Sequence, residues 1–203
     1  MASNLGTMTT RDVQAATVAE KDAVFAILIL AFSGDPATRW TWPEPKAYIE
    51  AFPHFATAFG GTAFDKGSAL RVGSAGAALW LPPGTGPDEA ALNALMMRTA
   101  DAATAADGPQ LMQQMASYHP KEPHWYLPLL GVDPAHQNKG VGGALLRHVT
   151  DKCDHDGVLA YLESSNPRNI PLYLRHGFEI VGRAQSGSSP VITPMVRQPR
   201  RRS

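Results

Sequence analysis

Cys153 is the only cysteine among the 203 residues of this chain. A lone thiol closes no intrachain disulfide and builds no cysteine-based zinc site, and it fits a reducing compartment. An excess of charge is also missing. Lysine plus arginine and aspartate plus glutamate each number 18, so net charge draws the chain to neither nucleic acid nor an anionic membrane. The longest apolar run, Ala23 to Phe32, is far too short to span a bilayer. The opening MASNLGTMTTRDVQ has no apolar signal core. These absences lead us to expect a soluble cytoplasmic protein with no nucleic-acid or membrane partner. Three catalytic patterns are absent too. The seven histidines form no H-E-x-x-H, so no metal is expected. No G-x-S-x-G marks a serine hydrolase, and no G-x-x-x-x-G-K-[ST] marks a nucleotide triphosphatase. The basic tail RQPRRRS, Arg197 to Ser203, reads as a solvated end.

What is present is enough apolar material, 44%, for a sizeable core. The length suits one domain over 1–203, with a helical insertion expected at 84–120. A strand is expected near Val13–Ala16. Thr17 and Glu20 have the spacing of a capping box, opening a helix that runs to Phe32. Ser33 to Pro45, broken by glycine and prolines, reads as a loop, and Lys46 to Phe59 as a helix containing Pro53. TAFD (62–65) and ALRVGSAGAALWL (69–81) read as strands. Gly84 to Pro120 reads as helical with a break at Asp107-Gly108-Pro109. Its Met96, Met97, Met112 and Met115 are expected to fill core. The last third alternates: strand His124–Val132, helix to Gly157, strand VLAYLES, a short helix ending at Gly177, strand FEIVGRA and strand VITPMV. That order implies at least one βαβ unit. Cys153 falls on the apolar ridge Val141, Leu145, Val149 and Cys153, which makes it a packed small hydrophobe.

The turn VDPAHQNKGVGGALL, between a strand and that helix, is rich in glycine where glycine weakens a helix. A helix N-terminus exposes unpaired N–H groups and the positive end of the dipole. Gly140, Gly142 and Gly143 would leave these open to a phosphate, with Lys139 at the rim. Glycines that merely permit a tight turn are the alternative. The dinucleotide pattern fails, because its third glycine position holds Leu145.

The same stretch resembles the [Q/R]-x-x-G-x-[G/A] signature of the GNAT superfamily of N-acetyltransferases, with Gln137, Gly140 and Gly142 in the defined positions. NPRNIPLYLRHGFEIVG resembles that family's second signature, and the two together cover about 124–183. A closer likeness, to the puromycin N-acetyltransferase group, extends loosely to the N-terminal AFSGDPATRW. The resemblance implies an α/β (α+β) fold: a mixed, mostly antiparallel sheet with splayed central strands and flanking helices. It implies acetyl-CoA as co-substrate and a small-molecule amine as partner. Gln137, Asn138, Lys139, Gly140, Val141, Gly142 and Gly143 would hold the pyrophosphate. Leu130, Gly131 and Val132 would line the pantetheine arm. Asn166 and Asn169 open the next helix, where an amide either caps the helix or bonds the arm. Asn169 is favoured for the arm and Asn166 for the cap.

Acetyl transfer to an amine needs a proton acceptor for nitrogen, a donor for the oxyanion and a proton for the thiolate. The resemblance makes Tyr173 the acid and the N–H of Leu130 a candidate oxyanion donor. Candidates for the base are Glu163, set in a mostly apolar strand, and Glu122 and His124, just before the first strand of the motif. A water chain could replace any of them. Asp35, Arg39, Trp40 and Trp42 are candidates for the acceptor site: an acid to attract a cationic amine, and tryptophans to stack on it or to anchor the loop. A non-catalytic acyl-CoA-binding module and a protein N-acetyltransferase remain as alternatives. The residues leave open whether the chain acts alone or as a homodimer.

Overall fold

The computed structural model describes residues 12–200. Their centre is a seven-stranded sheet in the order β1-β2-β3-β4-β5-β7-β6. The strands are β1 (Gln14–Ala15), β2 (Ala69–Val72), β3 (Gly76–Leu81), β4 (His124–Val132), β5 (Leu159–Ser164), β6 (Glu179–Ile180) and β7 (Thr193–Arg197). Pairing is antiparallel except between β4 and β5, which are parallel because α7 (Val141–Asp156) crosses between them. The sheet is thus mixed and mostly antiparallel, as the resemblance implied.

Strand alternation sends side chains to two cores. Ala77, Leu79, Leu81, Tyr126, Leu129 and Tyr161 meet α1 (Lys21–Phe32) and α3 (Pro45–Gly60) on one face. Ala78, Trp80, Trp125, Leu127, Ala160 and Leu162 meet α7 and the short α8 (Ile170–Arg175) on the other. The ridge Val141, Leu145, Val149 and Cys153 is buried there. Burial pushes the Cys153 thiol up to about 12, which leaves it an inert filler.

Four local readings differ from the sequence expectation. Ser33–Pro45 holds a helix, α2 (Pro36–Thr41), because Asp35 caps it by accepting from the N–H groups of Ala37 and Thr38, and Pro36 suits its first turn. TAFD is helix α4 (Thr62–Asp65), not a strand: its backbone bonds stay local, from the Phe64 N–H to the Gly61 carbonyl at 3.1 Å and from the Lys66 N–H to the Thr62 carbonyl at 3.2 Å. The helical stretch breaks at Ala100–Asp101, between α5 (Glu89–Thr99) and α6 (Ala102–Tyr118), where Asp101 caps α6 through the Thr104 N–H at 2.9 Å. Pro109 lies inside α6. FEIVGRA pairs only at Glu179–Ile180, with an isolated bridge from Ala184 to Ile192. Of the four methionines, Met96 and Met115 pack against cores, but Met97 and Met112 are exposed.

The C-terminal arginines are not all solvated. Arg197 is buried and forks onto Asp154 of α7 at 2.8 and 2.7 Å, while its Nε donates to the His176 carbonyl at 2.9 Å. The backbone N–H of Arg200 joins Asp154 at 2.7 Å. The rest of that tail, 201–203, lies outside the described residues. Among the described residues no helix is long and apolar enough to cross a membrane.

Candidate active site

β4 and β5 pair only from His124↔Leu159 to Leu127↔Leu162. Past that rung β5 continues on β7, and β4 continues on β3, so a wedge opens between them. Its apex is Pro128, which has no N–H to offer a neighbour. The β3–β4 register also shifts here: Leu79 faces Leu129, yet Leu81 faces Tyr126, which puts one extra residue in β4. A bulge flips the side chains that follow it. Leu127 faces α7, but so do Leu130 and Val132, while Leu129 faces α3.

Backbone direction follows from one bond. The Asp133 N–H donates to Ala75 at 2.9 Å, toward the β3 side. Because neighbours alternate, Gly131 points the same way, and Leu130 and Val132 aim their N–H and C=O groups into the wedge. The wedge therefore has one edge of unpaired strand.

At its mouth stands the N-terminus of α7. The helices α2, α5 and α6 are each capped by an aspartate, Asp35, Asp88 and Asp101. α7 is capped by Gly140, with no side-chain bond to its first turn. Gly140 has φ +83°, a conformation other residues rarely hold, and nothing lies within 4 Å of where its Cβ would be. Gly142 is glycine for a different reason: a Cβ would stand 3.3 Å from Leu172 of α8, so it permits close packing. Asn138, at φ 61°, shapes the same loop. Gln137 reaches back to the Val132 carbonyl at 3.4 Å, and Lys139 folds onto the Ala135 carbonyl at 2.8 Å. Val141 is buried, and Gly131 sits against Ala31 and Leu28 of α1.

On the α7 face, Tyr173 is buried, edge-on to Phe178. Burial, then the charge of Asp35, holds its phenol above the ordinary value, so it keeps its proton at neutral pH. Asn166 accepts from the Arg168 N–H at 3.1 Å as a helix cap, and Asn169 is exposed.

On the opposite face, Glu163 stands one residue past the last β4–β5 rung. Its side chain is 9% exposed and accepts the Tyr126 hydroxyl at 2.6 Å. Two further groups around it were not anticipated. His119, just after α6, places Nδ1 3.9 Å from the carboxylate, and Tyr161 has a buried hydroxyl with no partner. His124 contacts His119 at 3.0 Å through Nε2 and the Glu122 carbonyl at 2.7 Å through Nδ1. Burial lowers the His124 pKa. The Glu122 carboxylate is itself exposed. Only the alternation of Tyr126 and Tyr161 on one face was a sequence signal for this group, and it reads equally as core.

The four acceptor-site candidates are mostly engaged in the fold. Besides capping α2, Asp35 accepts from Ser165 at 2.7 Å. Trp42 is buried with its Nε1 on Thr99 at 3.1 Å, and Arg39 bonds the Pro43 carbonyl. Trp40 reaches Ser188 at 3.2 Å and packs with Leu111, Ala184 and Ile192. α6 is sewn to the loop 185–189 by Asp107, Gln110 and Gln114. Among the described residues no cluster of three or more His, Cys, Asp or Glu side chains is placed to hold a metal.

Comparison with known proteins fits this geometry. Residues 104–178 match the acetyltransferase (GNAT) family. An uncharacterized N-acetyltransferase of Schizosaccharomyces pombe is 41% identical over 54 residues, 27% of this chain and 22% of its own length. The chain thus matches about a fifth of that curated relative. Among solved structures, a Corynebacterium glutamicum protein described as histone acetyltransferase HPA2 and related acetyltransferase aligns over 94% of this chain and 97% of its own, with a TM-score of 0.65 and 24% identity. The polyamine N-acetyltransferase of Drosophila melanogaster aligns over 92% and 99%, with a TM-score of 0.57 and 17% identity. At these identities the likeness speaks for the fold. The segment 104–178 is thus similar to the acetyltransferase (GNAT) family, and the fold of the chain is that of the solved acetyltransferases it resembles.

Proposed function

We propose that the chain transfers the acetyl group of acetyl-CoA to the amine of a small molecule. The observation that carries this reading is the wedge between β4 and β5, bordered by the inward-facing backbone of Leu130 and Val132 and ending at the side-chain-free N-terminus of α7. An extended pantetheine arm fits such a wedge as a strand would, and its pyrophosphate meets the N–H groups of Gln137 to Gly143. Lys139 then serves as a rim charge, and Asn169 as a donor to the arm.

The two faces of the sheet divide the proton chemistry. Glu163, on the α3 side, receives the proton of the incoming ammonium. Tyr173, on the α7 side, gives one to the departing sulfur and is restored by the second proton that nitrogen sheds as the amide forms. The Leu130 N–H stabilises the oxyanion between them. A thioester threaded through the sheet would thus be attacked from one face and released on the other. A small acceptor, rather than a protein segment, suits the closed seam between α6, α2 and the loop 185–189. Structural neighbours named for agmatine and polyamine acetylation point the same way.

The test is thiol release from acetyl-CoA across a panel of aliphatic and aromatic amines, alongside calorimetry with CoA. Turnover of at least one small amine is expected. CoA binding without turnover of any amine or peptide would favour a sensing module instead, and turnover of peptides alone would favour a protein acetylase.

A further inference from the structure

On the acetyl-transfer reading above, one proton must leave the protein per turnover. An ammonium and an acetyl thioester become an amide and a thiol: a C–N bond forms, the C–S bond breaks, nitrogen sheds two protons and sulfur gains one. Glu163 is poorly placed to discharge to water, since its side chain is nearly buried under Tyr126 and Tyr161.

We propose that His119 is the proton outlet of Glu163, held in the receptive tautomer by His124. The hydrogen-bond pattern dictates that tautomer. His124 Nδ1 faces a backbone carbonyl, that of Glu122, at 2.7 Å, and only an N–H can bond there. The other nitrogen of neutral His124 therefore accepts, and His119 Nε2, 3.0 Å away, must donate to it. That leaves His119 Nδ1 as a bare lone pair turned toward Glu163 across 3.9 Å, a gap that one water or a small ring rotation closes. A proton taken up by Glu163 passes to this nitrogen. The imidazolium then loses it to solvent, because the His119 side chain is 37% exposed. The rings of Tyr126 and Tyr161 pack edge-on against His119 at 5.2 and 4.7 Å and fix its plane. The charged and titratable groups facing the pair are thus Glu163, Tyr126, Tyr161, His124 and Glu122. His119 is a positioning and relay residue; it touches no reacting atom.

Two measurements decide this. Histidine-ring nitrogen NMR reads the tautomers without turnover: His119 protonated at Nε2 and His124 at Nδ1 are expected, and the reverse assignment at His119 overturns the proposal. In kinetics, His119→Ala should lower kcat about 100-fold, the low end for a positioned proton carrier, while the CoA Kd stays put. Free imidazole should restore rate in proportion to its neutral fraction as pH is varied. Wild-type kcat in His119→Ala, or a loss that imidazole never restores, overturns it. A wild-type protein that binds CoA and acetylates nothing refutes the acetyl-transfer reading instead, and the NMR result still stands apart from it.

Discussion

The two faces of the central sheet are built from different materials. On the α7 face, the proposed cofactor site is made of backbone: the open helix end at Gly140, the strand edge at Leu130 and Val132, and small residues that keep side chains away. On the α3 face, the proposed proton site is made of side chains: Glu163, Tyr126, His119 and His124, joined by contacts of 2.6 to 3.9 Å, with the Tyr161 ring packed against His119. A backbone site is spoiled by adding atoms and a side-chain site by removing them. The two should therefore fail in different measurements.

The sharpest separation comes from removing proton carriers. Glu163→Gln and Tyr173→Phe should each lower kcat about 10²- to 10⁴-fold, with CoA affinity in calorimetry nearly unchanged. Next in size is the fastening of α7 itself. Asp154→Asn leaves the buried Arg197 guanidinium unpaired and should cost about 3–5 kcal/mol in denaturant unfolding. The same pair sets an acid limit. Its hydrogen bonds from Arg197 hold the Asp154 carboxyl below the usual carboxylate range. A depressed native value means the stabilisation is complete above the unfolded carboxyl's value of about 4 and disappears as pH falls below it, so urea midpoints should drop on acidification. Asp154→Asn should flatten that part of the profile. Smaller again is an insult to the backbone site. Gly140→Asp puts a charge and a Cβ at the open helix end and should weaken CoA binding about 100-fold, more than it lowers the melting temperature. The smallest change is the control on a side-chain-capped helix: Asp101→Ala should cost about 1 kcal/mol of stability and leave CoA affinity alone.

This contrast also explains what could be read from the sequence. The backbone site is written contiguously, because one turn supplies it: Gln137, Gly140 and Gly142 sit within six residues, and β4, α7 and β5 fall where their patterns place them. The side-chain site is assembled from a helix end, a strand start and a neighbouring strand. His119 therefore has no local mark, and Tyr126 and Tyr161 pass for core. Arg197 reads as part of a solvated tail because its partner, Asp154, lies on α7, far away in sequence, while Arg200 to Arg202 follow three residues on. α2 reads as a loop in the sequence because of Gly34 and Pro36, although an aspartate before a proline is also how a helix begins. The bulge at Pro128 was hinted at by the proline, but the flip it imposes on Leu129 and Leu130 needs the register of β3 to be seen.

The wedge has a mechanical meaning as well. A sheet with two strands prised apart carries an unsatisfied edge inside itself, the feature by which edge strands recruit foreign chains. If the pantetheine arm lies there, the ligand serves as an absent strand, and binding it is the last step of folding. Leu130 and Val132 amides should then exchange with solvent quickly in the free protein and slowly in the complex. The melting temperature would become a property of ligand concentration as much as of sequence, with about 2.7 kcal/mol gained at a hundredfold excess over Kd.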